Sequence, residues 1–458
     1  MSLSIEKSTI QKFDTPGPRY TSYPTAPEWD KTFDPQVYIQ KLKEFGRSQK
    51  SLSIYVHIPF CQSLCYFCAC TVAIRKQEDK FGDEYLDYLC KEVDLVRAAI
   101  GRRAAVKQFH LGGGTPTFLT EKQLERLYHK IAENFLIEKD AEISIEVDPR
   151  TIDESKVKKL RQLGFNRMSM GVQDFNEEVQ RQVNRIQPFE MVKEFSRWCR
   201  ELKFASMNYD LIYGLPGQTR ASFFDTVEKV IKLKPDRIAL YSFAHVPWLK
   251  KHQGKLDEKA LPIADEKLDI FLEARRQFLE NGYQAIAMDH FALSTDEMSK
   301  AFNKGTLYRN FMGYTLKPSD DFLGFGMSAI GFIENTFIHN FKTIPDYYAP
   351  LQKNILPVEA GKVLSEDDSM RQWAINSLMC RFKLDKNEFK NVFARDFNEY
   401  FSFEAAHISQ CISDGILTAQ ADTLIVTDLG KIFIRNVCMG FDWYLRQEKG
   451  HKKFSRTV

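Results

Sequence analysis

SLSIYVHIPFCQSLCYFCAC, residues 51–70, leads an apolar run straight into four cysteines within ten positions. The first half reads as a short strand. In the second half, Cys61, Cys65, Cys68 and Cys70 are separated by three, two and one residues. A structural zinc site would want four ligands, usually as two separated pairs, and no second pair exists here. A thioredoxin-like pair would account for Cys65 and Cys68 and leave Cys61 idle. An iron–sulfur cluster takes thiolates as its natural ligands. A C-x3-C-x2-C loop supplies three of them and leaves one iron of a [4Fe–4S] cube open for a small molecule.

Outward from this stretch, strand-like runs alternate with longer helical patterns. The runs are 51–60, 106–114, 142–149, 166–173, 206–216 and 236–247, and the helical stretches include 120–135 and 219–233. Six strand-then-helix units predict an α/β fold: a curved, mainly parallel sheet closed as a partial or TIM-like (β/α) barrel. Chemistry should then gather at the C-terminal ends of the strands. The cysteines follow the first strand, GGGTP (112–116) follows the second, Glu146 and Asp148 end the third and Gln173 ends the fourth. Further strand-like runs lie at 282–292 and 321–333.

Three regions are expected: an N-terminal arm over 1–50, a catalytic domain over 51–355 and a smaller, mainly helical, winged-helix-like domain over 356–458. DTPGPRYTSYPTAPEWD (14–30) is rich in Pro and turn residues and should be extended. The last region predicts a two-strand ribbon followed by a helix. It shows no basic stripe, which favours a lid or substrate-binding role over nucleic acid.

The formal net charge of +3 implies no strong nucleic-acid or membrane field. No apolar run approaches the roughly 20 residues that span a bilayer, and the N-terminus has no signal-peptide core. A cytoplasmic monomer is expected. The five scattered cysteines, Cys90, Cys199, Cys380, Cys411 and Cys438, read as small buried hydrophobes. The basic tail RQEKGHKKFSRTV (446–458) reads as a solvated end.

The cysteine spacing after the first strand of a βα repeat, with Phe67 between the last two ligands, resembles the radical S-adenosylmethionine (SAM) superfamily. GGGTP supports this, because glycines let backbone approach a ligand closely. GPRYTSYPTA (17–26), YVHIPFC (55–61), HLGGGTPT (110–117), EISIEVDPR (142–150), MSMGVQDFN (168–176), VNRIQ (183–187), DLIYGLPGQT (210–219), MDHFA (288–292), YRNFMGYT (308–315), GMSAI (326–330) and FSRTV (454–458) occur in that order. With Cys70, they resemble the oxygen-independent coproporphyrinogen III oxidase (dehydrogenase) family over nearly the whole chain.

The resemblance implies oxidative decarboxylation of two propionates of coproporphyrinogen III to vinyl groups, giving protoporphyrinogen IX. It implies a [4Fe–4S] cluster on Cys61, Cys65 and Cys68 and two SAM molecules. It also implies an electron donor and an electron acceptor, neither identified by the sequence. The cluster-bound SAM would be held by Tyr55, Gly113, Glu146 and Ile330. The second would be held by Phe67, Gly114, Thr115, Gln173, Arg185, Asp210 and Ala244. Cys70, Tyr55 and Glu146 are the expected catalytic residues. Arg19, Arg309 and the tail are candidates for the substrate's carboxylates. His57, His110, His245 and His290 read mostly as core histidines, with His290 the one to test. Arg185 could instead be a surface ion pair, and Glu146 and Asp148 a strand-end ion pair.

Ala69 stands where the family commonly has Gly, which bears on the loop beside the second SAM. The alternative function is a haem-binding chaperone with the same three cysteines. Such relatives generally have an aromatic residue in place of Cys70 and lack the full arm.

Overall fold

Along the strand runs, apolar and polar residues alternate. Leu52, Ile54, Val56 and Ile58 are fully buried, while Ser53, Tyr55 and His57 point the other way. Met168, Met170 and Val172 alternate in the same manner with Ser169 and Gly171. Period-two patterning gives a sheet one apolar face for helices and one polar face for something else. The computed structural model describes residue 5 and residues 7–316, 321–447 and 454–457. In it, the six expected runs form β1 Leu52–Ile58, β2 Ala105–Gly113, β3 Leu136–Val147, β4 Arg167–Gln173, β5 Ser206–Tyr213 and β6 Arg237–Ser242. Each pairs in parallel with the next.

The apolar face is covered by helices that include Asp79–Ile100, Glu121–Asn134, Phe189–Glu201 and Arg220–Leu233. Two of them start on capping boxes, Thr120 with Gln123 and Thr219 with Ser222, which satisfy the first free N–H groups. The polar face curves around a cavity of about 270 Å³, whose lining includes His110, Glu146, Ser169, Asp210 and Tyr241. The sequence alternation therefore sorts each strand into packing residues and cavity residues.

The later runs extend the sheet on both sides. Residues 282–292 give β7 Tyr283–Ala287 and β8 His290–Leu293, antiparallel to each other, with β8 antiparallel to β6. Residues 321–333 give β9 Phe322–Phe325, parallel to β1, and β10 Ile330–Ile333, antiparallel to β9. Then β11 Thr336–Asn340 and β12 Val358–Val363 complete an antiparallel meander. The order is β12-β11-β10-β9-β1-β2-β3-β4-β5-β6-β8-β7, an open twelve-stranded sheet. The two edges do not meet, so the partial form of the expected barrel is the one adopted. Strand β12 still belongs to this sheet and lies just past the expected boundary at 355.

The C-terminal region is mainly helical, as expected, beginning with Glu366–Arg381. Its ribbon is three-stranded rather than two-stranded. Lys383–Asp385 joins the antiparallel pair Leu417–Gln420 and Thr423–Val426. The apolar core runs without a break from the strand–helix layers into this region, reaching Phe433 and Phe441.

The N-terminal stretch from Asp14 is irregular between helices Lys7–Phe13 and Pro35–Arg47. It meets the other chain end, with Pro16 bridged to Arg456 and Gly17 N–H donating to Ser455. Residues 448–453 of the basic tail and Val458 lie outside the described residues.

Candidate active site

The cysteine loop leaves the C-terminal end of β1. It is closed at its base where Phe60–Cys61 pairs with Ala73–Ile74. His57, buried on β1, lies 3.0 Å from both the Tyr55 hydroxyl and the Thr71 carbonyl, so it ties strand to loop. A distant segment braces the loop's carbonyls. Lys250 Nζ donates to Cys70 O (3.2 Å), His252 Nε2 to Cys68 O (2.7 Å) and Gln253 Nε2 to Phe67 O (3.1 Å).

Each thiol has its own surroundings. Cys61 Sγ lies 3.3 Å from the Thr115 hydroxyl, and burial pushes its pKa up to about 12. Cys65 is buried, with Arg185 Nη1 and Arg150 Nη2 donating to its sulfur at 3.6 and 3.7 Å. A hydrogen bond with the Cys70 thiol pulls Cys68 down to about 7. Cys70 itself is held well above the usual thiol range by that same contact and by the groups packed around its sulfur, although the residue as a whole is exposed.

The glycine turn after β2 lies alongside. A Cβ on Gly112 would stand 2.9 Å from Tyr55 Cε2, one on Gly113 2.9 Å from the His57 ring, and one on Gly114 2.7 Å from Pro59 O. Gly113, at φ +122°, also adopts a backbone conformation that side chains disfavour. Its N–H donates to Glu146 (3.0 Å), and His110 Nε2 lies 3.4 Å from the same carboxylate. Burial would raise the Glu146 pKa, but His110 and the Gly113 N–H together hold it below the usual value. Asp210 accepts from Asn208 (2.8 Å); burial, with Glu146 nearby, raises it to about 6.

Among the described residues, no three His, Cys, Asp or Glu side chains converge as ligands of one ion. A [4Fe–4S] cube asks for thiolates at separate corners rather than around one ion. The donor set fits such a cluster: three soft thiols on one loop, with N–H donors aimed at the buried one. The surroundings also fit a polar ligand. Gln173, at the end of β4, holds an unfavourable φ of +66°, and its Oε1 is buried without a partner. A backbone held in a disfavoured conformation, with an unmet acceptor on its side chain, is a mark of a binding site.

Sheet, glycine turn and cysteine loop define a radical SAM protein, and the Radical SAM superfamily model matches residues 55–230. The HemN C-terminal domain model matches residues 364–433. The chain is 43% identical to the oxygen-independent coproporphyrinogen III oxidase of Synechocystis, covering 100% of this chain and 99% of that one. It is also 43% identical to the protein of that name from Escherichia coli, over 98% and 97% of the two chains. The solved structure of the Escherichia coli coproporphyrinogen III oxidase (HemN), described as a radical SAM enzyme, superposes with a TM-score of 0.92. It is 40% identical and covers 97% of this chain and 100% of that one. The chain belongs to the oxygen-independent coproporphyrinogen III oxidase family.

The structure brings Tyr55, Cys61, Cys65, Cys68, Cys70, Gly113, Gly114, Thr115 and Glu146 to one end of the sheet, where Gln173 and Asp210 also stand on β4 and β5. Phe67 packs with Val183 and Phe243, and Ala244 follows β6. Ile330 belongs instead to a small apolar cluster with Trp29, Phe322 and Phe332. Arg309 donates to the carbonyls of Arg19 (3.2 Å) and Tyr20 (2.6 Å), so it holds the arm in place. His290 pairs with Asp289 at 2.7 Å.

Arg185 is neither on the surface nor free. It donates to Asp148 (3.0 Å), Gly171 O (2.7 Å) and Gln187 (3.1 Å) as well as to Cys65. Arg150 completes the group, donating to Asp148 at 2.6 Å. Despite burial, Arg185 and Arg150 hold the Asp148 pKa down to about 2. Asp148 ionises near pH 2 when folded and about 3.9 when unfolded. Its contribution to stability is therefore full above pH ~4 and lost as pH falls through about 2. Removing one partner of a buried pair costs roughly 3–5 kcal/mol. Arg185→Ala should lose about that much in denaturant unfolding and hold iron less firmly, because Cys65 loses a donor. Unchanged stability would show that Arg150 alone neutralises Asp148.

Proposed function

We propose that this chain carries out the oxygen-independent conversion of coproporphyrinogen III to protoporphyrinogen IX, as a monomer in the cytoplasm. The observation that carries the reading is the cysteine loop, with its separately supported thiols, lying alongside the glycine turn whose Gly113 N–H holds Glu146. Each of two propionates would lose a hydrogen atom from its β-carbon, then CO2 and one electron, leaving a vinyl group. When bound, a [4Fe–4S] cluster and SAM supply the one-electron chemistry that produces a carbon radical able to take an unactivated hydrogen atom.

The chain's own residues hold and orient. Cys61, Cys65 and Cys68 would carry the cluster, and Arg150 and Arg185 would temper charge at Cys65. Glu146 and Asp210 can accept hydrogen bonds from amino and ribose hydroxyl groups, and the Gln173 amide oxygen can accept another. Tyr55, fixed by His57 and stacked on His110 with centroids 5.9 Å apart, would wall the first SAM. Phe67, Gly114, Thr115, Arg185 and Ala244 would help hold a second SAM. The catalytic unit would be residues 51–355 completed by β12. An electron donor and an electron acceptor are required partners.

The test is anaerobic reconstitution with iron and sulfide, then chromatography of products from coproporphyrinogen III, SAM and a reductant. Protoporphyrinogen is the expected product. Porphyrin binding without any decarboxylation would favour a haem chaperone.

A further inference from the structure

A cavity of about 980 Å³ opens beside the cysteine loop. Gly214 and Ser242–Ala244, just past β5 and at the end of β6, form one side. Both chain ends form another: Asp14, Pro16 and Arg19 from the arm, Phe454, Ser455 and Arg456 from the tail. Arg435, buried behind them, fastens the two ends by donating to Pro18 O (2.9 Å), Arg456 O (3.0 Å) and Gly17 O. Phe243, Trp248, Leu261 and Pro262 make the remaining walls largely apolar. Gln253 connects this space to the redox loop, since its side-chain amide donates to both Ala244 O (3.2 Å) and Phe67 O (3.1 Å).

The charges do not balance. Arg19, Lys267 and Arg456 line the cavity against one carboxylate, Asp14, which Arg456 already holds at 2.5 Å. Arg19 has Asp289 at 3.6 Å. Lys267 has no carboxylate partner among the described residues. Its stem crosses Gly214, where a Cβ would stand 2.7 Å from Lys267 Cε, and its ammonium donates only to Phe243 O at 3.0 Å. Burial, with Arg19 and Arg456 close by, lowers its pKa to about 8 despite Asp14. In the same wall, His245 Nε2 is buried without a hydrogen-bond partner, with the Glu258 carboxylate 3.9 Å away. Buried cations ordinarily find a counter-charge. A roomy, largely apolar space with an unpaired ammonium in its wall suits a large apolar molecule that carries a carboxylate.

We infer that this cavity seats the tetrapyrrole and that Lys267 receives one of its propionate carboxylates; the inference rests on the function proposed above. SAM also has a carboxylate, but it is smaller and bears a sulfonium, which Lys267, Arg19 and Arg456 would repel. The test is fluorescence titration of reconstituted holoenzyme with coproporphyrin III, the oxidised form of the substrate, for wild type, Lys267→Met and Lys267→Arg. A hydrogen bond to a charged group lost on Lys267→Met should weaken porphyrin binding about ten- to a hundredfold. Lys267→Arg should restore most of it, and SAM binding should not move. Should Lys267→Met melt early or lose iron, Trp248→Ala, at an exposed wall position, should still weaken porphyrin. Wild-type porphyrin affinity in Lys267→Met, or weakened SAM binding with porphyrin unaffected, overturns the assignment. Wild-type enzyme that makes no vinyl product overturns the proposed function; normal turnover with unchanged KM in Lys267→Met overturns only this placement of the substrate.

Discussion

Replacing any one of Cys61, Cys65 and Cys68 with Ser is expected to reduce bound iron and SAM cleavage to background. A serine hydroxyl is a hard, weakly acidic donor, and the soft thiolate is what an iron–sulfur cluster selects. None of the three has a substitute. Cys65 is the one with two guanidinium groups on its sulfur, Cys61 the one beside Thr115, and Cys68 the one whose pKa falls to about 7. Cys65→Ser should do further harm, leaving Arg150 and Arg185 facing a neutral group beside Asp148. The measurements are iron and sulfide per chain, visible absorbance and released 5′-deoxyadenosine after anaerobic reconstitution. A full complement of iron in any single variant would refute the ligand set. Zinc filling the purified site and refusing exchange for iron would refute the cluster itself.

The parts of this fold legible in the sequence were those set by local pattern. Alternation along β1 and β4 announced strands with one packed face, and the residues left over, Tyr55, His57 and Ser169, line the cavity or stand beside the cysteine loop. The cysteine spacing and the glycine turn were legible for the same reason, since each is a short segment with one chemistry. What failed to show were contacts between segments far apart. His252 holds the carbonyl of Cys68 across 184 positions, and a Lys-His-Gln stretch gives no local sign of that duty. Lys267 sits in the first turns of Ala264–Glu280, and its neighbours in sequence do not mark it as a cavity residue. Arg185 looks like a surface ion pair in sequence because its buried partner Asp148 lies 37 residues away. Where the sheet stops was equally hidden: β12 follows a helix and looks like the start of a new region, but it pairs with β11.

Cys70→Ser should keep the cluster and lose most product formation. A fourth thiolate ligand would occupy the iron that SAM needs, so a functional role for Cys70 has to be something other than ligation. Its position is specific. The thiol lies beside Cys68, whose pKa it lowers, its carbonyl is held by Lys250 at 3.2 Å, and the residue is exposed rather than part of the apolar core. The other non-ligand cysteines divide differently: Cys199, Cys380, Cys411 and Cys438 are buried as expected, and Cys90 is only half-buried. A thiol in this place can position SAM or substrate, or give and take a hydrogen atom, which a hydroxyl does poorly. Serine retains an O–H that can donate to Cys68, so iron content and visible absorbance should stay near wild type. Alanine removes that donor as well and should loosen the cluster somewhat more than serine does. Decarboxylation should fall to a small fraction of wild type in both, with kcat rather than KM carrying the loss if the role is hydrogen or electron transfer. A rise in KM with kcat intact would assign Cys70 to positioning. Iron loss matching that of Cys68→Ser would make Cys70 a ligand, and near-normal product would reduce it to a packing residue.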